Sequence, residues 1–115
     1  MRTIGNTSVD GEVRAVASGA LANGDTVIVN ADGTVSVVGG GNLTSENYIG
    51  IAKGAASDTA VATVQTGCSI NDAQSGLTAG QDYYVQTDGT LGLTAADPSV
   101  LAGTAVSATE IIVKG

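Results

Sequence analysis

Ala31-Asp32-Gly33-Thr34-Val35 returns later in the chain as Thr87-Asp88-Gly89-Thr90-Leu91, at an offset of 56 residues. The match runs outward at the same offset, pairing Leu21 with Leu77, Gly24 with Gly80, Val29 with Val85 and Val37 with Leu93. Asp-Gly set between apolar residues in alternation signals a β-hairpin. A two-residue turn at Asp32-Gly33 would put Val29 opposite Ser36 and Val27 opposite Val38. A three-residue loop, 31–33, with Gly33 left-handed, instead pairs Val29 with Val35 and Val27 with Val37. That register gathers four valines on one face and leaves Ile28, Asn30, Thr34 and Ser36 on the other. In the later copy it gathers Tyr83, Val85, Leu91 and Leu93 against Tyr84, Gln86, Thr90 and Gly92. Sheets with one buried face resist the one-residue slip that would scatter these sets. The three-residue loop is therefore expected in both copies.

Each hairpin leads through a loop into a further apolar strand. Gly39-Gly40-Gly41-Asn42 precedes Tyr48-Ile49-Gly50-Ile51-Ala52, and Ala95-Ala96-Asp97-Pro98-Ser99 precedes Val100-Leu101-Ala102-Gly103-Thr104-Ala105. Both return strands carry Gly-x-Ala (Gly50-Ile51-Ala52, Gly103-Thr104-Ala105), which predicts close backbone approach or a bulge at equivalent places. Helical periodicity is absent, while Thr, Val and Ile dominate and 17 glycines punctuate the chain. Strands are expected at 12–18, 26–30, 34–38, 48–53, 59–66, 81–86, 90–94, 100–107 and 109–114. The expected fold is a single all-β domain, a small β-barrel or β-sandwich. It is built from two hairpin-plus-return-strand units, 12–66 and 67–115, after an extended N-terminal arm, 1–11.

The 115 residues include 14 Val, 7 Ile and 6 Leu, three Tyr, and neither Phe nor Trp. A core of short aliphatic side chains leaves a small margin over conformational entropy, so burial shared between subunits is expected. Eleven acidic residues against four basic ones give a net charge of −7. No two of Arg2, Arg14, Lys53 and Lys114 are neighbours in sequence, which disfavours nucleic-acid partners, and an acidic surface repels anionic membranes. The apolar runs are too short to span a bilayer as a helix, and the first residues lack the apolar stretch of a secretory signal. Synthesis in a reducing cytoplasm is the expectation, and a lone Cys68 excludes an intrachain disulfide. Asn6-Thr7-Ser8 and Asn42-Leu43-Thr44 then read as chance matches to a glycosylation site.

Catalytic chemistry finds little footing. Without histidine, the usual base for a nucleophile is missing. Cys68 has no cation near it in sequence to lower its pKa and reads as a small buried hydrophobe. Asp32 and Asp88 have a local explanation as loop residues, and each loop offers one carboxylate where calcium needs several converging oxygens. Gly39-Gly40-Gly41 is not a phosphate loop, because no Lys-Ser/Thr follows it. No catalytic residue, cofactor or metal site is expected. Tyr83 is expected in the core or at a trimer axis, and Tyr84 faces outward as a contact residue.

The stretch from Gly76-Leu77 through Tyr83-Tyr84-Val85 to Asp88-Gly89-Thr90-Leu91, then Pro98-Ser99-Val100-Leu101 to Ile112-Val113-Lys114-Gly115, resembles a module of tailed-phage virion proteins, tail-fibre segments included. Across residues 18–115 the pattern is similar to small capsid decoration (cement) proteins, with a Gly24-Asp25 hairpin start and a later Gly50-Ile51-Ala52 strand. The resemblance implies a non-enzymatic, all-β, trimeric subunit on the outer capsid surface of a virion, bound to the major capsid protein. A short chain with no shaft repeat favours the head over the tail tip. The expected capsid contacts are Met1, Arg2, Thr3, Ile4 and Val9 of the arm, and the expected trimer or core residues are Tyr83, Val85, Leu91 and Leu93. The alternative is a receptor-binding module for host glycans, using the Tyr84 face and the Asn-bearing loops. A bacterial adhesin-like repeat is disfavoured by the lack of an export signal.

Overall fold

The computed structural model describes residues 11–67 and 69–113. Ten strands and no helix fill them: β1 (Glu12–Val16), β2 (Thr26–Val29), β3 (Val35–Val37), β4 (Tyr48–Ala52), β5 (Val61–Gln65), β6 (Ile70–Asn71), β7 (Asp82–Val85), β8 (Leu91–Gly92), β9 (Leu101–Ala105) and β10 (Ile111–Val113). They form two five-stranded antiparallel sheets, ordered β1-β5-β4-β2-β3 and β6-β10-β9-β7-β8. Place for place the second order repeats the first, so the sequence duplication is a duplication of topology.

The hairpin registers are those that alternation requires. Val27 pairs with Val37 and Val29 with Val35, while Tyr84 pairs with Gly92 and Val85 with Leu91. Asn30 N–H donates to Thr34 O at 2.7 Å and Gln86 N–H to Thr90 O at 2.8 Å, closing three-residue loops. Gly33 and Gly89 sit at φ of +87° and +91°, where a Cβ would be strained. The return-strand glycines are equivalent too. A Cβ at Gly50 would overlap the Gln65 carbonyl, and one at Gly103 the Ile112 carbonyl. The β2–β4 ladder slips between Val27 and Ile28, and the β7–β9 ladder slips at the matching Tyr83 and Tyr84. Close approach and bulge occur together, in both units.

Packing departs from the one-faced hairpin. Val27 and Val35 belong to one cluster with Ala17, Leu21, Ala52, Ala62 and Val64, inside the first sheet. Ile28, expected on the outer face, is 2% exposed and joins Val38, Leu43 and Ile51 in a second cluster. The second unit completes that cluster with Tyr83, Val85, Val100, Ala102, Ala105, Ile111 and Val113. Both faces of β2 are therefore buried, because the second sheet packs its inner face onto the first sheet's outer face. The first sheet rolls until Ala17 makes a single parallel bridge to Val35, with Ser18 N–H donating to Val35 O at 2.7 Å. Among the described residues no further strand pairing closes that seam, so the architecture is sandwich-like and not a closed barrel.

Several strand ends differ from expectation. The fifth strand starts at Val61, because Thr59 turns left-handed at φ +73° to donate its N–H to Ala17 O. The second hairpin's outgoing strand stops at Gly92, which leaves Leu93 outside the sheet. The two-residue β6 was not expected; it exists because it pairs Asn71 with Ile111 and Ile70 with Ile112.

Candidate interaction surface

The four residues expected in the core or at a trimer axis separate. Tyr83 is buried, and its hydroxyl accepts the Thr78 N–H at 2.8 Å. Val85 is fully buried and Leu91 packs half-buried against the same cluster. Leu93 is 56% exposed, so the register that aligned it with the others does not carry it into the core. Met1, Arg2, Thr3, Ile4 and Val9 lie outside the described residues, as does Cys68.

The Asp-Gly loops are held by their own side chains. Asp32 Oδ1 accepts from Thr34 Oγ1 at 2.6 Å and Thr34 N at 3.1 Å; Asp88 Oδ1 does the same with Thr90 at 2.7 and 3.1 Å. The threonine hydroxyl, then its N–H, hold both carboxyls below the usual aspartate range. Among the described residues no group of three or more His, Cys, Asp or Glu converges as a metal site. The triglycine loop is tied by Asn42, whose Oδ1 accepts from Gly39 N and whose Nδ2 donates to Val37 O.

The two units meet through an uneven set of contacts. Thr26 Oγ1 donates to Gly89 O at 2.7 Å, and a Cβ at Gly89 would lie 2.5 Å from Val38 O. Gln74 Nε2 donates to Gly24 O at 3.1 Å and to Asn71 Oδ1 at 3.0 Å. Buried Asn71 Nδ2 donates to Gln65 Oε1 at 2.8 Å, and Gln65 Nε2 to Ile70 O at 2.7 Å. These paired polar groups fix the relation of the two sheets. Residues 24–26 of the first unit thus sit across the mouth between Ala73-Gln74 and Gly89-Leu91 of the second.

Among the described residues the equivalent mouth of the first unit has no such cover. Where β1 and β3 diverge from the Ala17–Val35 bridge, a groove of about 770 Å³ opens, lined by Val13, Ala15, Val29, Val35, Tyr48 and Ile49 among others. Arg14 and Gly33 stand at its margin. Tyr48 borders the groove but packs against the core shared by the two units, and its hydroxyl, buried, finds no hydrogen-bond partner; that burial pushes the phenol well above its ordinary range. Lys53 pairs with Glu12 at 2.8 Å, and Arg14 has no carboxylate within ion-pair distance among the described residues.

On the far side, the second sheet's outer face presents Ile70, Ile112, Thr104, Leu101 and Tyr84, with Ile70–Ile112, Ile112–Thr104 and Tyr84–Leu101 directly opposite one another. Ile70 is 51% exposed, and Tyr84, Leu101 and Ile112 are half-buried. Asp82 borders this stripe, its carboxylate accepting the Thr104 hydroxyl at 2.7 Å. The outward Tyr84 was expected from alternation. The groove was not, because both strands bounding it read as ordinary alternating strands, and only their failure to pair along the seam creates it. No protein-family model matches the chain, and no curated protein matches it.

Proposed function

We propose that this chain is a non-enzymatic structural protein of a tailed-phage virion that decorates and stabilises the outer capsid surface by binding the major capsid protein. The observation that carries the reading is the duplicated module itself: two sheets of one topology, locked front to back by buried apolar contacts and satisfied amides, in the part of the chain that resembles cement proteins. Such a body suits repeated placement on a shell, where each copy adds rigidity under internal pressure. Its polar loops are closed on themselves, as at Asp32 and Asp88, and offer fixed shapes to a partner. The acidic surface limits adhesion to free nucleic acid. The subunit works as a homotrimer, and the arm, residues 1–11, supplies capsid contacts.

Copy number tests this. Quantitative mass spectrometry of virions, referenced to the major capsid protein, should find hundreds of copies per particle. A few copies per particle would place the chain on a fibre instead.

A further inference from the structure

The two units pack front to back, so among the described residues their interface leaves one face of each kind uncovered. We propose that the chain associates with further copies of itself head to tail, the outer face of the second sheet in one copy seating on the open groove of the first sheet in the next.

The internal joint is the template. In the second unit Val85, Leu91, Ala102 and Val113 lie in the shared core that the first unit covers. Their topological counterparts in the first unit are Val29, Val35, Ile49 and Thr66, and all four line the open groove. The covering surface of the first unit includes Thr26, Ile28 and Tyr48; its counterparts in the second unit are Asp82, Tyr84 and Leu101, which are exposed or half-buried. Each copy therefore holds one satisfied joint and, at its two ends, the complementary halves of a second. Charge supports the match. Arg14, beside the groove, has no carboxylate within ion-pair distance among the described residues, and Asp82 would arrive beside it in place of the Thr26 that caps Gly89 internally. The groove's apolar lining suits Tyr84 and Leu101 as Ile28 and Tyr48 suit the internal joint. A heterologous contact of this kind closes into a ring or runs on as a filament. A ring of about three chains gives the homotrimer proposed above and sets six similar units around its axis. The inference concerns self-association and stands whether or not a capsid is the final partner.

The test is complementation between two variants of the whole chain, Tyr84→Asp and Arg14→Glu, with Val29→Asp as a second groove variant and thermal melts to verify folding. By light scattering at micromolar concentration the wild type should show about three chains and each single variant about one. An equimolar mixture of Tyr84→Asp with a groove variant should form a one-to-one dimer, because one sound joint remains. A monomeric wild type, a variant that assembles like the wild type, or a mixture that stays monomeric would each overturn the proposal. So would a chain lacking residues 1–9 that fails to assemble while Tyr84→Asp assembles normally, because the amino-terminal segment would then be the groove's occupant.

Discussion

Replacing Gly103 with alanine probes the duplicated close approach most sharply. Gly103 lies in β9, a central strand of the second sheet, between β10 and β7. An added Cβ would overlap the Ile112 carbonyl oxygen and stand 3.1 Å from Ile111 Cγ1. Neither obstacle is the free end of a flexible chain. Ile111 is fully buried, and β10 is held on its other side by β6. Relief therefore requires parting two paired strands, and the cost belongs at the upper end of overpacking in cores, about 3 kcal/mol. Gly39→Ala is the control, because a Cβ there meets no atom within 4 Å and its φ is not left-handed. It should be neutral or stabilise by up to about 1 kcal/mol through the unfolded chain. Urea unfolding should show the Gly103→Ala midpoint falling with an unchanged slope, and Tm falling by about 12 °C or more. A loss for Gly103→Ala below about 1 kcal/mol, or a loss equal to that of the control, would refute the claim that backbone proximity is what requires glycine here.

Gly50→Ala should behave like Gly103→Ala, because the same approach to Gln65 recurs there, and the same urea titration checks it. Tyr48→Phe should stabilise by about 1 kcal/mol, since it removes a buried hydroxyl without a partner; a matching fall in Tm would contradict that. Thr26→Val should cost about 1–2 kcal/mol in urea unfolding by leaving Gly89 O unpaired at the joint between units. Asp32 and Asp88 have depressed pKa values in the folded state, so their contribution is present above the ordinary aspartate pKa and is lost as pH falls through the folded values. An Asp32→Asn, Asp88→Asn double variant should thus show a shallower loss of Tm between neutral and strongly acidic pH than the wild type.

Both hairpins were legible because Asp-Gly-Thr fixes a loop and alternation fixes the register, leaving one residue no freedom to slip. The Gly-x-Ala strands were legible for a related reason: a glycine inside a branched strand marks a place where a side chain cannot fit. What alternation could not reveal is that Ile28, on the supposedly outer face, is as buried as Val27, since that depends on a second sheet arriving from elsewhere in the chain. Leu93 misled for the opposite reason, because its strand ends one residue before it. β6 carries too few residues to show a period at all. Of the candidate surface, Tyr84 follows from strand parity, whereas the groove arises from an asymmetry between two units that the sequence presents as equals.

Binding to heads tests the proposed function most directly. Purified chain mixed with expanded and unexpanded capsids, then sedimented, should pellet with the expanded shells at saturating stoichiometry and remain in solution with the unexpanded ones. Failure to pellet with either form would contradict the decoration role.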